Sequence, residues 1–271
     1  EIKNRIDELK TQKSNDKNTN YNLSQAYSPL REFADFIDST TVQLYNTPFL
    51  LLDGEAGIGK SHLLADIANI RIREGKYSLL LLGQYFNSNE DPRIQLLKKL
   101  ELKCSFDDFL EVLNCKAQLS GRRIIIFIDA INEGSGKTFW PDHFNGFIRN
   151  FSRYKWVGLV FSIRSSYVRL LETNIEYLND LLISYTHYGF RNVEYEASKM
   201  YFNNYNIELP SVPLLHPEFQ NPLFLKLFCE GLYKAGLSKI PDGLNGITRI
   251  FDFYINSVNN RFAEPKNFNY L

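Results

Sequence analysis

"LLLDGEAGIGKSHLL", residues 50–64, decides the fold. Gly54, Gly59, Lys60 and Ser61 satisfy G-x-x-x-x-G-K-[ST]. An apolar strand leads into the turn and an amphipathic helix leads out, which is the context this motif requires. Glycines let the backbone wrap a phosphate with no side chain in the way. The N–H groups along Gly54, Glu55, Ala56, Gly57, Ile58 and Gly59, with the helix N-terminus, supply partial positive charge. Lys60 brings a full charge to the β- and γ-phosphates, and Ser61 offers a hydroxyl to Mg²⁺. His62 reads as a packing or capping residue near the nucleotide. The bland alternative is a glycine-rich strand-to-helix turn that holds no ligand.

Strand-sized and helix-sized segments alternate on either side of this motif. "PFLLLD" (48–53), "YSLLLLGQYF" (77–86), "RIIIFID" (123–129), "WVGLVFSIR" (156–164) and "LLISYTHYGF" (181–190) read as strands. Helical patterns separate them over 59–74, 91–102, 105–119 and 140–154. The alternation predicts an α/β fold with a five-stranded parallel sheet covered by helices on both faces. Upstream, residues 1–22 read as a short helix and a polar linker, followed by a helix capped at Ser28 with Pro29 at its first position. The core is expected over 23–190. From 191 to 271 the pattern is helical, a small lid subdomain opening a larger C-terminal region.

Asp129 ends the apolar run "IIIFI", the Walker B pattern, where a carboxylate holds Mg²⁺ through its water shell. Glu133, four residues on, is placed to polarise a water attacking a γ-phosphate, or is a solvated loop acid. Asn132 can orient that water but cannot take its proton. The nearby Gly136–Lys137–Thr138 mimics a second phosphate loop. It fails the pattern, because Ile131 stands where the first glycine belongs and "FWPD" interrupts any following helix, so it reads as a loop with a solvated lysine. Arg164 closes the next strand, at the edge where parallel sheets bind ligands, within reach of a γ-phosphate unless it is a surface arginine. Pro222 begins a helix, and either only starts it or also contacts a base. Arg122 and Arg123 precede the Walker B strand and read as surface residues rather than trans-acting fingers.

Charge excludes some classes. With 31 basic and 31 acidic residues among 271, no global basic field calls for nucleic acid or an anionic membrane. No apolar run approaches the ~18 residues of a membrane span. The three cysteines have no zinc spacing and suit a reducing, cytoplasmic compartment. A start without Met and an abrupt end at Leu271 lead us to expect a piece of a larger protein.

In combination and order, "GEAGIGKS", "IIIFIDAINEG", the arginine of "FSIRSSY" and the later "NPLFLKL" resemble the STAND NTPases, the NACHT and NB-ARC signalling ATPases. The phrasing "LLLGQYF", "DAINEG" and "VGLVFSIRSSY" is most similar to the bacterial antiviral Avs (AVAST) group. The resemblance covers roughly residues 25–265 and implies a RecA-like, ASCE-type P-loop core with a helical lid. It implies ATP or ADP with Mg²⁺ as cofactors, Lys60 and Ser61 on phosphates and metal, and Asp129 on the metal. It further implies Arg164 as a sensor arginine and Pro222 packed on adenine. NACHT proteins usually carry a second aspartate where Asn132 stands, so slow hydrolysis is expected. The implied role is a nucleotide-dependent switch that oligomerises, as a tetramer, when a phage protein binds a sensor outside this segment. An AAA+-type motor or remodelling ATPase and a non-catalytic nucleotide-binding scaffold are the alternatives.

Overall fold

The computed structural model describes residues 17–209 and 217–240, with residues 4, 7 and 8. Two helices, α1 (Lys17–Ile37) and α2 (Thr40–Asn46), precede the sheet. Then follow β1 (Phe49–Gly54), α3 (Lys60–Arg73), β2 (Ser78–Leu82), α4 (Pro92–Lys99), α5 (Phe106–Ser120), β3 (Ile124–Asp129) and α6 (Gly136–Phe151). β4 (Val157–Arg164), α7 (Glu172–Tyr177) and β5 (Ile183–Thr186) complete the sheet region, and α8 (Glu194–Asn204) and α9 (Pro222–Lys234) come after it.

The five strands form one all-parallel sheet in the order β2-β3-β4-β1-β5. In register, Leu82 pairs with Asp129 and Ile128 with Phe161. β3 and β4 are buried almost throughout, so both faces are covered and the strands need no polar alternation. This is the expected α/β fold, a five-stranded all-parallel sheet with helices.

The described residues divide into two compact units. The first holds the described residues up to Leu51 together with Ala68–Ser162 and Tyr167–Tyr185. Its core is aromatic: Trp140, Phe144 and Phe147 of α6 pack on Phe161 of β4, Phe144 at 4.8 Å between ring centroids. At the amino end of β3, Arg122 donates to the Glu74 carbonyl, and Arg123 to those of Lys155 and Tyr45. Their work is to tie backbone together, and burial lowers the Arg123 pKa from its usual value. The second unit comprises Leu52–Ile67, Ile163–Ser166 and the described residues from Thr186 onward. Phe202 of α8, Phe219, and Leu225, Phe228 and Leu232 of α9 form its own core. Burial there pushes the Cys229 thiol up to about 12, which makes it an inert packing group.

Three local expectations are corrected. α1 begins at Lys17, within the expected linker, and Ser28 and Pro29 lie inside it. Tyr27, Leu30, Ala34 and Ile37 keep helical spacing straight through the proline, which removes only one N–H donor from the ladder. β5 ends at Thr186, because the chain turns into a loop in which Gly189 has a positive φ. Gly136–Thr138 is no loop but the first turn of α6, with Pro141 inside the helix. Gly136 is there for packing, since a Cβ would overlap the Ile131 carbonyl oxygen. The Lys137 amino group lies 4.5 Å from the centre of the Tyr167 ring. The helix expected over residues 1–11 and the helical pattern from 241 to 271 lie outside the described residues, residues 4, 7 and 8 apart.

Gly136→Ala should cost about 1–3 kcal/mol in urea denaturation. Lys137→Ala, which removes only a surface cation–π contact, should cost less than about 1 kcal/mol. Equal losses would contradict the packing role of Gly136.

Candidate functional site

The phosphate loop follows β1 and lies wholly within the second unit. Gly57 and Gly59 have φ of 73° and 97°, the left-handed region that a side chain disfavours. Lys60, the first residue of α3, is 9% exposed. Its amino group donates to the carbonyls of Gly54 at 2.6 Å and Glu55 at 2.9 Å. The lysine therefore curls back into its own loop instead of extending into solvent. Ser61 and His62 are exposed on the next positions of α3.

Residues far along the chain brace this loop. The Asp53 carboxylate accepts from the hydroxyls of Ser165 and Thr186, each at 2.9 Å. The His187 N–H donates to the Asp53 carbonyl at 2.7 Å. On the other flank, Asn221 caps α9, its Oδ1 accepting from the N–H groups of Leu223 and Phe224. Its Nδ2 donates to the Ala56 carbonyl at 3.2 Å, and the Leu223 N–H to that of Gly57 at 3.3 Å. A Cβ on Gly57 would sit 2.9 Å from Leu223. A Cβ on Gly59 would sit 3.5 Å from Pro222, so the proline packs on the loop itself. Beside these residues is a cavity of about 320 Å³, lined among others by Glu55, Ile58, His187, Tyr188, Arg191 and Asn221.

The acidic half of the predicted site belongs to the first unit. Asp129 is 5% exposed at the end of β3, and its Oδ1 accepts from the Ser162 hydroxyl at 2.5 Å. Ser162 also receives the Ala130 N–H at 2.8 Å on its hydroxyl and the Ile131 N–H on its carbonyl. Ala130 has φ +55°, a conformation that costs a non-glycine residue on the order of 1 kcal/mol or more. Gly83, after β2, lies so close that a Cβ would overlap the Ala130 carbonyl. The resulting turn buries Asn132, 4% exposed, and leaves Glu133 exposed. Arg164 ends β4 and is exposed in the second unit.

For Mg²⁺ the donors are of the right kind, a carboxylate on Asp129 and a hydroxyl on Ser61. Among the described residues no cluster of three or more His, Cys, Asp or Glu is set to hold an ion. Mg²⁺ keeps several waters and takes phosphate oxygens, so one or two protein oxygens suffice for it.

Sequence reasoning missed Asp53, His187 and Asn221. The Asn-Pro pair at a helix start is a capping signal that marks Asn221. Nothing local marks His187, which reaches the loop only through the sheet.

No protein-family model and no curated protein sequence matches the chain. Among solved structures, DnaA from Aquifex aeolicus with bound AMPPCP is 12% identical, with a TM-score of 0.44 over 95% of this chain and 73% of that one. A replication initiator DnaA bound to AMPPCP and single-stranded DNA is 14% identical, with a TM-score of 0.45 over 89% and 68%. A mutant RuvB from Thermotoga maritima is 11% identical, with a TM-score of 0.43 over 87% and 75%. These likenesses are of fold alone and extend to neither ligand nor activity. Among the described residues no helix is long and apolar enough to cross a membrane.

The His187 pKa is lowered from 6.5, first by burial; a hydrogen bond with the Ile58 backbone offsets part of this, and the Lys60 charge adds to the lowering. The folded protein thus binds this proton more weakly than the unfolded chain. The stability tied to a neutral His187 is present above about pH 6.5 and lost as pH falls below it. Between about pH 7.5 and about pH 5.5 the wild-type urea midpoint should therefore fall further than that of His187→Gln. Equal falls would contradict the assignment.

Proposed function

We propose that this chain is the ATP-binding module of a STAND-type switch, with slow hydrolysis. The observation that carries the reading is the buried Lys60 amino group, held by carbonyls of its own loop. A buried ammonium is costly unless paired. Two carbonyls of its own loop hold this ammonium in place, and phosphates cradled by the loop would set an opposite charge directly beside it.

In this reading Gly54, Glu55, Ala56, Gly57, Ile58 and Gly59 cradle the β-phosphate with backbone N–H groups, and Lys60 moves from the carbonyls to the phosphate oxygens. Ser61 and Asp129 hold Mg²⁺, which when bound neutralises charge on the β- and γ-phosphates. Ser162 fixes the rotamer of Asp129. Glu133, solvent-exposed beside the turn, takes the proton of the attacking water. Asn132 occupies a buried place where a carboxylate would be costly without a metal beside it. That favours holding nucleotide over rapid turnover. Arg164 senses the γ-phosphate from the end of β4. Pro222 packs on the loop, and contact with adenine is the finer role the family resemblance gives it.

The wider role rests on the same resemblance. It is an antiphage, NLR-like sensor whose ATPase modules oligomerise when a phage protein engages a region outside this segment. In that role the helical region after β5 acts as the lid, and differential affinity of nucleotide for two conformations drives the switch.

Lys60→Ala should weaken ATP binding by about 10-fold to 100-fold, as loss of a charged hydrogen-bonding group requires. Glu133→Gln should leave ATP binding intact and cut turnover at least about tenfold. Both are read by calorimetry and phosphate release. Unchanged ATP affinity in Lys60→Ala refutes the nucleotide reading. Wild-type turnover above about 1 s⁻¹ without a trigger refutes the switch in favour of a motor or remodelling ATPase.

A further inference from the structure

Four consecutive loop carbonyls have identified partners. Those of Gly54 and Glu55 accept from Lys60, that of Ala56 from Asn221, and that of Gly57 from the Leu223 N–H. In a trans peptide the C=O and the following N–H point in opposite directions. Holding the Ala56 carbonyl at Asn221 therefore turns the Gly57 N–H the other way. Holding the Gly57 carbonyl at Leu223 does the same for the Ile58 N–H.

The geometry points to Asn221 as a positioning residue for phosphate binding: one side-chain amide caps α9 and orients the N–H groups of the phosphate loop. The inference rests on the nucleotide reading of that loop and adds a residue no motif assigns to it. The two halves of the amide have separate jobs. Oδ1 accepts from the N–H groups of Leu223 and Phe224 and so starts the helix. Nδ2 reaches across to Ala56. Pro222 lies between them with no N–H to compete, and its fixed φ suits the first turn of a helix. Leu223, 2.9 Å from where a Gly57 Cβ would be, closes the back of the loop. A loop free to rotate these two peptides must pay the ordering entropy at each binding event, whereas a braced loop has its donors already aimed.

The two jobs can be separated. Asn221→Ser keeps a capping oxygen, adds no charge and is too short to reach the Ala56 carbonyl. Its thermal midpoint should stay within a few degrees of wild type, with ADP affinity by calorimetry weakened about tenfold. An ADP affinity within about twofold of wild type in a folded Asn221→Ser overturns the proposal. Should that variant not fold, Asn221→Thr, also a capping residue, carries the same expectation and the same contrary result. Absence of ADP binding by the wild-type chain would refute the nucleotide reading itself, and the positioning role with it.

Discussion

A backbone presents several N–H groups to an anion in a fixed array when the carbonyls of the same peptides are held elsewhere. Each peptide unit carries one donor and one acceptor aimed in opposite directions, and a buried acceptor left without a partner costs about 1–3 kcal/mol. The loop between β1 and α3 meets this constraint with partners from both sides. Lys60 takes the carbonyls of Gly54 and Glu55, and the start of α9 takes those of Ala56 and Gly57. Positive φ at Gly57 and Gly59 allows the loop to turn this sharply. Asp53, fastened by Ser165, Thr186 and the His187 N–H, fixes where the loop begins.

The turn after β3 obeys a related rule with different means. Asp129 could swing freely at a strand end, but Ser162 of β4 binds its carboxylate, the next N–H and, through its carbonyl, the one after that. The chain then passes through a left-handed Ala130 beneath Gly83 and into α6 at Gly136. Two glycines are needed because backbone meets backbone there. The outcome is a buried Asn132 next to an exposed Glu133. That contrast decides which of the two can meet solvent water.

Much of this was legible in the sequence, for physical reasons. Continuous aliphatic runs between amphipathic helices can be little other than a two-sided parallel sheet, so the fold and the strand ends carrying Asp129 and Arg164 followed from pattern. The phosphate loop followed from spacing, since glycines and a lysine at those intervals serve few other purposes. What stayed hidden were the residues that act across the fold. Asp53 and Ser162 look like ordinary strand residues until the sheet brings their partners beside them. Gly136 and Lys137 imitate a binding motif, and only the close approach of the Ile131 carbonyl shows that the glycine is there for packing. Pro29 does not mark the start of α1, because the helical spacing of Tyr27, Leu30, Ala34 and Ile37 runs straight through it.

The most direct measurement is a crystal structure of the chain with Mg·ADP. The account predicts the β-phosphate within about 2.7–3.2 Å of loop N–H groups between Gly57 and Ser61. It also predicts the Lys60 amino group shifted from the Gly54 and Glu55 carbonyls to a phosphate oxygen. Phosphates bound elsewhere, or a Lys60 that keeps its two carbonyls with ADP in place, would contradict it.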